Sequence, residues 1–137
     1  MELKIRKLTE SDWDLLVSWW EMYPEWKQGP SKKMLPENGT GGYIVEKGEI
    51  PIVAGFLYTT NSKVGWMEWV ISNKKYTNKS GRKASLILLI EALTNVAQAS
   101  GNKFTYALIK HDGLIKTYEE LGYIKGDSYN KEMIKVL

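Results

Sequence analysis

The chain contains no cysteine and a single histidine among its 137 residues. The first absence excludes a disulfide framework, a thiolate metal centre and a cysteine nucleophile. The second leaves too few imidazoles for a zinc site, so no metal is expected. Long apolar runs are missing as well. The longest, LILLI at 86–90, is far short of a membrane span, and the opening MELKIRKLTE carries alternating charges where a signal peptide needs an apolar core. The expectation is a soluble, cytoplasmic protein with no membrane association. Nor is there a strong excess of either charge. Nineteen basic against 16 acidic residues give a net charge of +3, too little to indicate a nucleic-acid partner, and none is expected.

What is present is a core. With 43% hydrophobic and 12% aromatic residues, including six Trp and eight Tyr, a chain of 137 residues can bury one compact interior and is too short for two ordinary domains. Residues 1–137 are therefore read as one domain. Apolar and basic residues alternate over 3–8, the period of a half-buried strand. Thr9 and Asp12 have the spacing of a capping box, and Trp13, Leu16, Val17 and Trp20 then recur on one face of a helix over 11–22 that Pro24 closes. Residues 24–42 hold three of the four prolines and four of the twelve glycines, which predicts a structured connection with at most a turn of helix.

Three strands follow at 43–46, 52–60 and 64–72, joined by short turns and therefore antiparallel. A long helix extends to residue 99, with Leu86, Leu89, Ile90, Leu93 and Val96 on one face and Gly101 beyond its end. FTYALIK at 104–110 reads as a strand, 112–122 as a helix with Asp112 as its better cap, and the end as a further strand or hairpin culminating in 132–137.

The start of the long helix, NKSGRKAS, has an unusual chemistry. Five basic residues and no acid lie between Lys74 and Lys83. The first amides of a helix have no intrahelical acceptor, and the helix dipole makes this end positive, so basic side chains here oppose the dipole unless an anion is bound. Gly81 permits close approach of a ligand, and Ser80 has a hydroxyl for a cap or a phosphate oxygen. A solvated, purely structural helix start is the competing reading.

The element order, the loop after the fourth strand and the ending YEELGY together resemble the GNAT superfamily of N-acyltransferases over essentially the whole chain. The family's loop pattern is Arg or Gln, a Gly three positions on, a Gly or Ala two beyond it, and a Leu three further. It aligns with Asn78, Gly81, Lys83 and Leu86, or with Ala84 as the small residue in a register one position longer. The family's Asn, with Tyr seven positions later and a Leu-Gly-aromatic ending, aligns with His111, Tyr118, Leu121, Gly122 and Tyr123. Segments MLPENG, GFLYTTNS and EWVISN are similar to small phage-encoded members.

The resemblance implies an α/β (α+β) fold, a mixed and mostly antiparallel sheet of six to seven strands flanked by helices, in the order β-α-loop-β-β-β-α-β-α-β. It implies transfer of an acetyl group from acetyl-CoA (coenzyme A) to a primary amine of a small molecule or peptide, by a monomer or homodimer. The pyrophosphate would lie on Asn78, Lys79, Ser80, Gly81, Arg82, Lys83 and Ala84, and the pantetheine arm on the backbone of Val70, Ile71 and Ser72, with His111 beside it. Tyr118 would protonate the departing thiolate.

Glu68, placed between Trp66 and Trp69 in a strand, is the candidate base, since burial among aromatics raises its pKa and makes its carboxylate a stronger proton acceptor. A cross-strand ion pair is its bland alternative. Trp20, Tyr23 and Trp26 are candidate walls for the acceptor, although helical spacing favours the core for Trp20, and for Tyr23 and Trp26, beyond the helix, pocket and core are equal readings. Asn78 and Lys83 depart from the loop pattern, and on them rests the alternative of a catalytically inactive GNAT-fold binding protein.

Overall fold

The computed structural model describes residues 2–25, 29–128 and 131–137. Strand β1 (Leu3–Lys7) is followed by a short 3-10 turn (Glu10–Asp12) that leads directly into helix α1 (Trp13–Glu21). The Thr9 amide donates to Asp12 Oδ2 at 2.8 Å, half of the capping box expected from the sequence. Arg6 fastens this corner to the sheet. Its guanidinium donates to both Asp12 oxygens at 2.8 Å, and its Nε donates to Glu46 at 2.9 Å.

The Arg6 hydrogen bond holds the Asp12 carboxyl below its ordinary value, with burial opposing. Asp12 therefore contributes stability at neutral pH that is lost as pH falls through its lowered value. Arg6→Ala is expected to cost about 1–3 kcal/mol in denaturant titrations at neutral pH, because it strands a nearly buried carboxylate. The cost should shrink in acid below the ordinary aspartate value of 3.8, and a loss independent of pH would mean that Arg6 acts through packing alone.

Two 3-10 turns (Lys32–Met34 and Pro36–Gly39) punctuate the connection to β2 (Gly42–Lys47), β3 (Ile50–Thr59) and β4 (Val64–Ser72). Helix α2 (Lys79–Ala99), strand β5 (Phe104–Ala107) and helix α3 (Asp112–Glu120) complete the regular elements. Among the described residues the sheet has five strands in the order β1-β2-β3-β4-β5. The first four are an antiparallel meander, and β5 joins β4 in parallel after the α2 crossover. The fold is the mixed, mostly antiparallel sheet with flanking helices that the sequence implied.

Two differences shorten that sheet. Residues 131–137 form no strand, and the apolar side chains of Met133, Val136 and Leu137 there are exposed, so the count is five instead of six to seven. Period-two alternation qualifies a segment for a sheet, but only a partner backbone makes it a strand. Strand β5 also stops at Ala107 where the sequence predicted 110, because its ladder with β4 does not continue past Met67.

The sheet separates two apolar layers. On one face Leu16, Trp19 and Trp20 of α1 pack on Ile44, Ala54, Phe56 and Ile71. On the other Leu89, Ile90 and Leu93 of α2, with Tyr118 of α3, cover Val45, Val53 and Met67. No helix among the described residues is long and apolar enough to cross a membrane.

Candidate active site

The functional geometry begins with an irregularity in β4. Ala54 pairs with Ile71 and Phe56 with Glu68, so Trp69 and Val70 together stand opposite the single residue Gly55. This is a β-bulge, and Trp69 at its centre has φ +59°, a left-handed conformation that costs a non-glycine residue roughly 1–2 kcal/mol. Packing holds it there. Its indole N–H donates to the Tyr58 hydroxyl at 3.0 Å, and its ring meets Trp20 edge-on at 6.3 Å.

Gly55 is what admits the bulge. A β-carbon there would lie 3.1 Å from Val70 Cγ2, 3.3 Å from Leu89 and 3.4 Å from Leu93. Gly55→Ala should therefore displace Val70 and cost about 1–3 kcal/mol, checked by thermal unfolding. A glycine inside a strand pattern signals a bulge or a close approach, and this signal was available in the sequence without being used.

Pairing between β4 and β5 ends at Met67 with Ala107, just before the bulge, and the β4 backbone beyond it has no strand partner on that side among the described residues. Tyr118 and Glu68 stand where the pairing ends. Tyr118 is 3% exposed, its hydroxyl donates to Met67 Sδ at 3.0 Å, and its ring meets Tyr123 edge-on at 5.0 Å. Burial, reinforced by Tyr123 and Glu68, pushes its phenol well above the usual range, so it is a protonated donor at neutral pH.

Glu68 projects to the opposite face of β4 from Met67. Burial raises its carboxyl above the ordinary value, while hydrogen bonds from the Trp66 indole, at 3.1 Å, and the Trp69 backbone oppose the rise and Glu132 adds to it. No cross-strand lysine lies opposite it, since its partner across the ladder is Phe56.

At the other end of β4 the start of α2 is cationic. Asn78, not Ser80, is the N-cap: its side chain accepts from the Gly81 amide at 2.9 Å and from the Ser80 hydroxyl at 3.0 Å. The first-turn amides of Lys79 and Ser80 keep no intrahelical acceptor. Lys79, Arg82 and Lys83, with Leu86 and with Gly113, Leu114 and Thr117 of α3, line a groove of about 210 Å³. Arg82 Nε is buried with no hydrogen-bond partner, and the Arg82 charge lies near enough to Tyr23 to act on its phenol. Lys83 also bridges to Glu120 of α3 at 3.0 Å, a packing role that the sequence did not disclose.

Gly81 has a second neighbour. A β-carbon on it would run into the Tyr76 hydroxyl, so its missing side chain makes room for Tyr76 as well as for any ligand. Ala84 is exposed in the first turns of α2, clear of the groove lining. On β4, Val70 and Ser72 are half-buried and Ile71 is buried.

The remaining sequence candidates separate. Trp20 is 2% exposed in the core and presents no wall to a ligand, because its helical position turns it onto the sheet. Tyr23 is half-buried at the end of β4, donates to the Ser72 carbonyl at 3.0 Å and carries Lys74 Nζ 5.1 Å from its ring centre. Trp26 lies outside the described residues. His111 is the N-cap of α3 in place of Asp112, which is the first helical residue. Its imidazole is exposed, with Nε2 3.5 Å from Glu25.

The sheet and its flanking helices match the GNAT fold. Solved structures carry this likeness at low identity. Glucosamine-6-phosphate N-acetyltransferase from Arabidopsis thaliana superposes with a TM-score of 0.66 at 16% identity, over 98% of this chain and 100% of that one. N-acetylglutamate synthase from Neisseria gonorrhoeae, complexed with coenzyme A and N-acetyl-glutamate, superposes with a TM-score of 0.69 at 15% identity, over 89% of this chain and 28% of that one. A transcriptional regulator from Bacillus halodurans C-125 has a TM-score of 0.70 at 15% identity, over 97% of this chain and 100% of that one. No family model matches the sequence, and neither does any curated protein.

Proposed function

We propose that the chain is an acetyl-CoA-dependent N-acetyltransferase that acts on a primary amine by direct attack. The observation that carries this reading is the stretch of β4 left without β5 beyond Met67, with a cationic helix start at one end and Glu68 and Tyr118 at the other. The residues present fit the cofactor. The orphan Nε of Arg82, the amides of Lys79 and Ser80 and the ammonium of Lys79 suit a pyrophosphate, and the backbone of β4 at 70–72 suits an amide-bearing arm. His111 and Lys83 flank that path as secondary contacts. The thioester supplies an activated acyl group.

The chain's own residues handle protons. Glu68 takes one from the acceptor ammonium, leaving a free amine that forms the new C–N bond. Tyr118 gives one to the sulfur whose bond to the acyl carbon breaks, and the phenol is restored by the second proton that the nitrogen loses, so the products are an amide and a thiol. The absence of cysteine fits a single direct transfer, with no thiol available for an acyl-enzyme. The narrower likeness to phage-encoded members rests on the three segments quoted above.

Calorimetry with acetyl-CoA, paired with a thiol-release assay on simple amines, tests the proposal. Micromolar binding is expected, and Arg82→Ala should weaken it about 10-fold through loss of a charge-assisted contact. No binding at millimolar cofactor would sink the reading. Binding without any turnover would favour the second reading, a GNAT-fold binding protein without catalysis, which the Tyr76 hydroxyl over Gly81 and the Lys83–Glu120 bridge favour because both narrow the loop.

A further inference from the structure

Helix α1 covers only part of its face of the sheet. Trp66 stands opposite Tyr58 in the β3–β4 ladder, and Tyr58 packs against the α1 layer, so Trp66 belongs to the same face. Its indole lies 4.7 Å from the ring of Tyr106 on β5, ring centre to ring centre, with planes inclined at 45°. Tyr106 is 39% exposed, and Phe104 and Leu108, which alternation places on its face, are 67% and 44% exposed. The result is a bare aromatic and apolar shelf at the edge of the sheet.

The shelf ends at a charge. The Trp66 indole N–H donates to Glu68 Oε2 at 3.1 Å, so one residue provides both a ring face and the fixed orientation of the carboxylate. With the ring edge in contact with the carboxylate, an ammonium held by Glu68 and a flat ring lying on Trp66 are joined by a short alkyl link. A hydroxyl-rich amine would leave its polar groups against apolar rings, at a desolvation cost, and Glu132 adds only one further acid to the Glu68 end for a polycation.

Resting on the acyl-transfer reading above, we infer that the acceptor is an arylalkylamine-type primary amine, with its ring stacked on Trp66 and Tyr106 and its ammonium held by Glu68. Trp66 acts as a positioning residue for Glu68 as well as a stacking surface. The tyrosine of the pair is the cleaner probe, because it lies on a half-open edge strand whose removal of one ring leaves the core intact.

Acetyl transfer to phenylethylamine, butylamine and spermidine, at saturating acetyl-CoA, decides between these classes. Phenylethylamine should exceed both others in kcat/KM by 10-fold or more. Tyr106→Ala should reduce the phenylethylamine-to-butylamine ratio about 3- to 10-fold, chiefly through KM. Trp66→Phe should preserve that ratio while lowering kcat, since it keeps a ring and loses the N–H that orients Glu68. Equal use of phenylethylamine and butylamine, or a ratio unmoved by Tyr106→Ala, overturns the inference and leaves acyl transfer standing. If nothing is turned over, calorimetric titration of the same amines into the acetyl-CoA complex replaces the rate, and absence of a phenylethylamine preference there overturns it equally. Failure to bind acetyl-CoA would instead overturn the reading on which the inference rests.

Discussion

Tyr118→Phe is expected to lower kcat by about 10²–10³-fold while changing acetyl-CoA affinity less than twofold. The phenol is 3% exposed at the point where β4–β5 pairing ends, and burial keeps it protonated throughout the working pH range. Its hydroxyl already donates to a sulfur, that of Met67, at 3.0 Å. Phenylalanine keeps the ring, its edge contact with Tyr123 and its place in the core, and removes only the proton donor. Stability should fall by less than about 1 kcal/mol, because one hydrogen bond to a weak acceptor is lost. Steady-state rates with calorimetric cofactor binding check this result. A variant as fast as the parent would leave Tyr118 as a core residue and nothing more.

Glu68→Gln should reduce kcat/KM by about 10²-fold and, in the same protein, raise stability at neutral pH. The two effects share one cause. Burial raises the folded carboxyl above its ordinary value of 4.5, so the native state binds more protons than the unfolded chain between the two values. Stability contributed by this group is full in acid and is lost as pH rises through that window. Glutamine carries no charge to bury, and so the variant escapes the loss.

Catalysis runs in the opposite sense. The carboxylate form accepts the proton, so activity of the parent should rise with pH through the raised Glu68 value, and Glu68→Gln should flatten that limb. Glu132, Tyr58 and Tyr118 interact with the same charge and would shift the limb without abolishing it. A pH–rate profile and unfolding curves at two pH values test both halves. Loss of activity together with loss of stability would mark Glu68 as a structural residue.

Much of the scaffold was legible because it follows local rules. The Thr9–Asp12 spacing, the α2 stripe of Leu89, Ile90 and Leu93, and the glycines at 101 and 122, both with positive φ, declare themselves within a few residues. The site is assembled from residues far apart, and there the sequence was less informative. Trp20 and Trp66 are the same residue type in amphipathic segments, yet one is sealed in the core and the other is half-buried beside Glu68. Nothing in their immediate neighbours separates the two, because α1 covers its face of the sheet only in part.

Composition and periodicity by themselves determined the meander, the crossover helix and the cationic helix start, since each is set by side-chain spacing and backbone capping within one stretch of chain. Tertiary structure decided where β4 bulges, just past the end of its pairing with β5. That bulge needs Gly55 on one strand, Trp69 at φ +59° on the next and the Tyr58 hydroxyl that pins it, and only their meeting makes a strained backbone the stable one. It also decided that 132–137, strand-like in pattern, would form no strand, because a sheet residue is fixed by the backbone beside it and not by its own alternation.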